Sequence, residues 1–402
     1  TITGIGDGDV FDNSTALNAS LVTDDQRAGL YIFGQNRHRS AYDHDGDGYS
    51  EIPKLHGQTI GFRSFLKTTT YSKLTFEYHH MEEFRRGGDL LNRPPHEANV
   101  AEQTEHSING GGLKFDYFSP NENHRFNVFA SAQHINRDSY YGPGDRDPLD
   151  AYGNTTDLNW MAGSQYVYSF GKCIFMPSDL TAGIEFNQDK LEDNMWGYNR
   201  TVDQKVNIGS AFLQNEWKND HWGFLIGGRL DKHNLIDHVI FSPRANLRYN
   251  PTENINLRFS YSSGFRAPQA FDEDLHVENV GGNVAMVELA DNLKEERSQS
   301  LSASADIYHR FGAFQVNFLV EGFYTKLSDV FALTDGEVVD GILTRTRHNA
   351  SGAQVLGLTL EGKMAYLNKI QVQAGVTLQQ SHYSKPHIWN KEAPAVKKMM
   401  RT

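Results

Sequence analysis

Period-two alternation, broken by links that are short and long in turn, is the feature that most constrains this chain. In Asn256–Ser262, Leu257, Phe259 and Tyr261 point one way, while Asn256, Arg258, Ser260 and Ser262 point the other. Gln371–Gln379 repeats this, with Val372, Ala374, Val376 and Leu378 opposing Gln371, Gln373, Thr377 and Gln379. Ser300–Ile307 does so again, with Leu301, Ala303, Ala305 and Ile307 against Ser302, Ser304 and Asp306. One apolar and one hydrophilic face per segment is the signature of a half-buried strand.

The pattern predicts strands near 14–23, 28–37, 57–68, 71–83, 104–118, 123–137, 155–169 and 179–191. It continues at 205–218, 221–231, 242–249, 254–263, 295–310, 314–328, 350–366 and 369–383. Tight turns fall at Asp24–Arg27, Ser119–Asn123, Lys218–His221, Asn250–Asn254, Arg310–Ala313 and Tyr366–Lys369. Long links rich in Asp, Glu, Gly, Asn and Pro lie between them, near 38–56, 84–103, 138–154, 192–204, 264–294 and 329–349. A soluble sandwich has no reason to keep its long loops on every second connection. An antiparallel barrel crossing a membrane does, with short turns on the periplasmic side and long loops outside. Strands of this length also suit a tilted crossing. The expected fold is therefore all-β, an antiparallel transmembrane β-barrel spanning 1–402.

Composition fits. The chain has 36 Gly, 24 Phe and 18 Tyr, and its mean hydropathy of −0.57 is compatible with a barrel in which only alternate residues meet lipid. No run of eighteen apolar residues supplies a transmembrane helix. One cysteine, Cys173, excludes an internal disulfide framework and a Cys-rich zinc module; it is expected in a longer turn at Gly171–Asp179. A net charge of −12 opposes general nucleic-acid binding. Thr1 is no initiator Met, and no leader follows it. The first strand runs toward the short-turn side, and Lys385–Thr402 trail off without a closing strand. Because open edges in lipid are costly, further strands are expected before Thr1 and after Thr402.

Tyr261-Ser-Ser-Gly-Phe-Arg-Ala-Pro-Gln-Ala270 resembles a strand-end hallmark of TonB-dependent outer-membrane receptors. Leu293-Lys-Glu-Glu-Arg-Ser298 is similar to the family's Leu-x-Pro-Glu-x-Ser segment, with Glu295 in place of Pro. Phe241-Ser-Pro-Arg244 with Tyr249-Asn-Pro251, and Val355-Leu-Gly-Leu-Thr-Leu-Glu361, add two signals in the same order. The resemblance implies a 22-stranded barrel filled by an N-terminal plug, of which this chain would supply about sixteen strands and no plug. It also implies TonB-dependent uptake, through the missing plug and the TonB complex, of a scarce bulky chelate or cofactor: cobalamin, ferric siderophore or haem. Outer-membrane lipid and lipopolysaccharide would surround it. A passive porin-like channel and a surface-binding barrel are the alternatives from other classes. A barrel enzyme would need a catalytic set, and none is legible: there is no P-loop, nucleophile elbow or zinc-protease motif.

Asp43-His-Asp-Gly-Asp-Gly-Tyr-Ser-Glu51 is the sharpest local motif. Carboxylates at Asp43, Asp45 and Asp47 around a Gly turn resemble the opening of a calcium loop, and Glu51 supplies a ninth-position ligand. Lys54 occupies the twelfth position, where a full EF-hand wants Glu. The bland reading is a solvated acidic hairpin tip. Family resemblance adds that cobalamin receptors carry calcium in early outward loops.

Glu77-Tyr-His-His-Met-Glu-Glu83 looks metal-rich, but strand parity separates Glu77 and His79 from Tyr78, His80 and Glu82. The expected ligand contacts are Arg85, Arg86, Tyr140, Tyr141, Asp272 and His276. With Arg93, the two arginines would steer an anionic ligand, meet lipopolysaccharide phosphates, or be solvated. Tyr140, Tyr141, Trp160, Trp196, Trp217 and Trp222 fit interfacial girdles or, on outward loops, a platform for a planar ligand. Trp217 and Trp222 flank a short turn and belong to the periplasmic side.

Overall fold

A computed structural model describes residues 2–5, 10–143, 152–280, 283–339, 341–367, 369–388 and 396–399. Expectations for Thr1, for part of the 138–154 link and for the last residues therefore lie outside the described residues. The strands begin with β1 (Ile2–Ile5), β2 (Val10–Val22), β3 (Ala28–Arg39), β4 (Ser50–Thr69), β5 (Ser72–Gly88) and β6 (Val100–Phe118). They go on with β7 (His124–Pro143), β8 (Tyr152–Cys173), β9 (Met176–Met195), β10 (Arg200–Lys218), β11 (Trp222–His233) and β12 (Ile240–Thr252). Next come β13 (Ile255–Arg266), β14 (Glu278–Val280), β15 (Asn283–Leu289), β16 (Glu296–Phe311) and β17 (Phe314–Ser328). Last are β18 (Phe331–Val339), β19 (Ile342–Asn349), β20 (Ala353–Tyr366), β21 (Ile370–Ile388) and β22 (Val396–Met399). Among the described residues, eighteen strands form one antiparallel sheet in chain order, and β14, β15, β19 and β18 form a second.

All the strands expected from alternation are present, and several run further than expected. β8 extends to Cys173 and β9 starts at Met176, so the turn is the pair Ile174–Phe175 rather than the longer loop expected. The 192–204 link shrinks to residues 196–199, because β9 and β10 stay paired up to Arg200 opposite Met195. Lys385 continues β21, and Val396–Met399 pair back on it as the short strand β22, so the tail expected from Lys385 onward begins later, while among the described residues β22 does not pair with β1.

Cross-strand partners share a face, so the pairings divide the wall into two surfaces. Leu21 pairs with Leu30, Ile32 with Phe62, Phe62 with Tyr78, and Phe76 with Leu113, which makes a continuous apolar exterior. Its side chains stand open, Leu17 at 77% and Ile226 at 63% exposure. No helix among the described residues is long and apolar enough to cross a membrane. The strands carry the lipid-facing surface instead. The other face is ionic: Arg37 bonds Asp12, Arg229 reaches both Glu185 and Asp231, and Lys363 meets Glu361.

Inward-facing glycines and aromatic rings interlock across strands. Phe323 pairs with Gly357 and Phe212 with Gly183, and each ring lies over its glycine. A methyl on Gly357 would sit 2.3 Å from Phe323 Cζ, and one on Gly183 would sit 2.3 Å from Phe212 Cζ. Here the absence of Cβ is a packing requirement, of the kind by which rings cover strand glycines.

At the short-turn end Trp217 stacks on Phe175 and Trp222 on Tyr249, with centroids 5.6 and 4.1 Å apart. Trp217 Nε1 donates to the Cys173 carbonyl at 3.0 Å. Rings with one polar anchor suit a membrane interface. Tyr140 and Tyr141 depart from the girdle expectation: at 2% and 6% exposure they are core residues of the opposite end.

Candidate functional site

The long-link end is built up rather than open. On β5 the outward series Leu74, Phe76, Tyr78 passes to His80 and Glu82, and the wall continues beyond it. The 264–294 and 329–349 links, expected as long polar loops, supply the second sheet. β15 and β19 pair in parallel from Val284–Ile342 to Leu289–Arg347, and β18 completes a hairpin with β19. Ala101, Tyr140, Tyr141, Met195, Tyr198, Val277, Val284 and Met286 form one buried cluster that packs this cap against β6–β9.

Residues 267–277 run from β13 into that cap as a strap, with the four-residue helix α1 (Asp272–Leu275) at its centre. Gln204 brackets Ala270: its Oε1 accepts from the Ala270 amide at 2.7 Å and its Nε2 donates to the Ala270 carbonyl at 3.3 Å. Arg200 donates to the Leu275 carbonyl at 2.7 Å, to the Asp274 carbonyl at 3.2 Å, and to Asp193 Oδ2 at 2.8 Å. Thr155 donates to Asp193 Oδ1 at 2.6 Å, and Arg137 stands 3.8 Å from it. From the cap side Arg347 pairs with Asp274. Arg266 lies 3.9 Å over the Phe271 ring, a cation–π contact. Buried charges persist only where they are paired, and here Arg200 meets Asp193 and Arg347 meets Asp274.

Close by, Arg297 donates twice to Glu295 Oε1, at 3.0 and 2.8 Å, and His238 Nε2 stands 3.1 Å from the same oxygen. Burial disfavours the charged form of Glu295. The Arg297 bonds nevertheless outweigh it, and its carboxyl lies below the ordinary glutamate range.

Between strap and wall lies a cavity of about 900 Å³ on the inner face of β5–β7. Three expected contacts meet there: Arg85, Tyr141 and His276. Arg85 Nε donates to Glu83 Oε1 at 2.6 Å, and His276 Nε2 lies 3.3 Å from Glu102 Oε1, with its ring edge-on to Tyr141 at 5.0 Å. Arg86 and Tyr140 do not join them. They take the opposite parity and are buried on the outer side of the wall, Arg86 at 1% exposure, where it donates to the Gly87 and Asp89 carbonyls. Asp272 lies in α1, and its side chain is outside the described residues. Sequence reasoning missed Glu83, Glu102, Arg137, Asp193 and Arg200. All five have the inward parity of their strands, a signal that was available.

At the rim the hairpin between β3 and β4 brings Asp43, Asp45, Asp47 and Glu51 together. One carboxylate oxygen from each lies within 4.8 Å of all the others, and all four residues are exposed. Gly46 and Gly48, at φ of 77° and 91°, permit the fold-back and donate their amides to the two oxygens of Asp43 at 2.7 and 2.9 Å. Glu51 Oε2 accepts from the His44 amide at 2.6 Å. Carboxylate oxygens retain further lone pairs after one such bond, so the donor set fits a hard cation. Glu51 also lines the cavity.

The profile of the family described as TonB dependent receptor-like, beta-barrel matches residues 5–398. No curated protein matches the sequence. Solved structures resemble the fold closely. The siderophore receptor PirA from Pseudomonas aeruginosa has a TM-score of 0.71 at 12% identity, over 95% of this chain and 67% of that one. PirA from Acinetobacter baumannii gives 0.72 at 14% identity, over 96% of this chain and 61% of that one. A mutant of the ferric enterobactin receptor PfeA from Pseudomonas aeruginosa, in complex with enterobactin, gives 0.71 at 12% identity, over 96% of this chain and 73% of that one. The chain thus spans from about three-fifths to three-quarters of these structures. At such identities the likeness establishes the fold.

Proposed function

Because the chain belongs to the TonB-dependent receptor-like β-barrel family, we propose that it is the barrel of an outer-membrane receptor that imports a large, scarce nutrient of the chelate or cofactor class. One observation carries this reading: the cavity of about 900 Å³ lies inside the wall at the long-link end, beneath a cap sheet. A concave, mixed apolar and polar site of this volume suits a sizeable small molecule. Met81, Ile108 and Val284 offer apolar contact, while Arg85, Glu102 and His276 offer hydrogen bonds. The reading needs no covalent chemistry. Partners from the wider family, TonB acting through a plug, belong to this proposal, as does the outer-membrane lipid and lipopolysaccharide around the apolar wall.

The acidic hairpin belongs to the same reading as a seat for one hard divalent cation, calcium by its all-oxygen donor set. A cation there would hold the β3–β4 hairpin at the rim of the cavity, because Glu51 borders both.

The test is growth of a strain deleted for this receptor on cobalamin, haem or ferric siderophore as sole source. A specific defect with one of them, repeated in a TonB-deficient strain, supports the reading. Unchanged growth on all three removes this substrate class.

A further inference from the structure

We propose that this receptor selects a neutral or cationic ligand and discriminates against polyanionic chelates; this rests on the uptake reading above and narrows its substrate class. The inference comes from how the charges around the cavity are spent. Arg85 is engaged by Glu83 on its own strand, at 2.6 Å. Arg137 is turned to Asp193 and Thr155, with Nε donating to Thr155 Oγ1 at 3.2 Å. His276 leans on Glu102. Arg86, the second arginine of the pair that looked like an anion guide, lies buried on the far side of the wall.

The carboxylates are in excess. Glu51, Glu83 and Glu102 line the cavity against Arg85 and Arg137. Asp43, Asp45 and Asp47 stand beside Glu51 at its rim, and one divalent cation seated there would offset only part of the charge of these four carboxylates. The adjoining cavity of about 360 Å³, on the other side of Arg137, adds Asp157 and Asp189 and, among the described residues, no further arginine or lysine. Arg244, Arg248 and Arg258 on β12 and β13 line neither cavity.

A multiply charged anion is held by arginine forks or lysines free to converge on it. Here it would have to break existing pairs and sit among carboxylates, and like-charge juxtaposition is a strong means of rejecting a partner. A neutral ligand meets no such opposition. A cationic one finds Glu83, Glu102 and Glu51 on the same face of the wall.

The experiment measures binding of three iron complexes of similar size to the purified full-length receptor in detergent, by tryptophan quenching at low salt. The probes are a neutral ferric trihydroxamate, a monocationic ferric trihydroxamate bearing a free amine, and a trianionic ferric tris-catecholate. We expect the trianion to bind at least about tenfold more weakly than the better of the other two. That gap should shrink as salt shortens the Debye length from about 30 Å to about 3 Å. Glu83→Gln with Glu102→Gln, which releases Arg85 and unburdens His276, should raise the affinity for the trianion about tenfold relative to that for the neutral complex. A trianion bound as tightly as the others, or more tightly, overturns the charge inference while leaving the uptake reading standing. Failure of all three complexes, together with wild-type growth of the deletion strain on every source, overturns both. Should the double variant fail to fold, the affinity order and salt dependence of the wild type decide the matter.

Discussion

Arg200 and Asp193 face each other at 2.8 Å across the β9–β10 hairpin, their side chains 5% and 1% exposed, and the same guanidinium holds the carbonyls of Asp274 and Leu275. One ion pair thereby ties the strap to the wall. Arg200→Ala leaves Asp193 with Arg137 and Thr155 alone, and breaking such a buried pair costs about 3–5 kcal/mol. The expected result is faster amide exchange in residues 267–277, with β9 and β10 below the hairpin unchanged. Exchange spread evenly over the wall would show that the pair supports the barrel and not the strap.

Calcium should bind the β3–β4 hairpin with one-to-one stoichiometry in a titration of chelator-treated receptor. Asp43→Asn with Asp45→Asn and Asp47→Asn should lower affinity at least about tenfold, since affinity follows ligand charge and count. Limited proteolysis should cut between Tyr42 and Ile52, the pair that closes this hairpin, faster in chelator than in calcium. A wild-type receptor that takes up no calcium would refute the cation seat.

Gly357→Leu should weaken the barrel by about 1–3 kcal/mol, because the new side chain occupies the space of the Phe323 ring. Phe323→Ala in the same chain should recover part of that loss. The non-additivity, read by urea unfolding of the refolded protein, measures the interlock directly. Simple additivity would mean that the ring moves aside freely.

Acid should loosen the Glu295–Arg297 contact only below the ordinary glutamate range. The folded carboxyl titrates below its unfolded value, so its stabilising contribution is complete above the ordinary glutamate range and disappears as pH falls through the depressed folded value. Between neutral pH and about pH 5 the Glu295 carboxylate itself should stay ionised. Glu295→Gln should abolish the acid-dependent part, seen in exchange rates of residues 290–297. A transition near pH 6 in the wild type would assign the response to another group.

Much of the wall was legible, because a two-sided strand writes its environment into alternate residues. Leu257, Phe259 and Tyr261 sit on one face of β13 as their spacing requires. Strand ends were harder to read. β8 continues to Tyr152 through Asn154 and Thr156, polar residues that have left lipid but keep their ladder, so hydropathy fades before pairing does. The cap sheet left little local trace, since β15 pairs with β19 across more than fifty residues and β14 has three. The candidate site was half legible. Arg85 and Arg86, like Tyr140 and Tyr141, were grouped as neighbours, although adjacent strand residues face opposite ways. Parity alone would have kept Arg85 and Tyr141 and set the other two aside. That Arg200 would hold the carbonyls of a distant strap has no signature in side-chain pattern.

The pairing of inward and outward faces also gives this chain something like a reading frame of two. One residue inserted into the middle of β6, between Gly111 and Gly112, would carry every later position of that strand across the wall, Leu113 into the lumen and Lys114 toward lipid. Two inserted residues restore the phase. Changes of length within the strands are thus confined to even steps or to bulges, such as the one between Ser50 and Lys54. The links carry no such phase, and they are where the chain can gain or lose single residues.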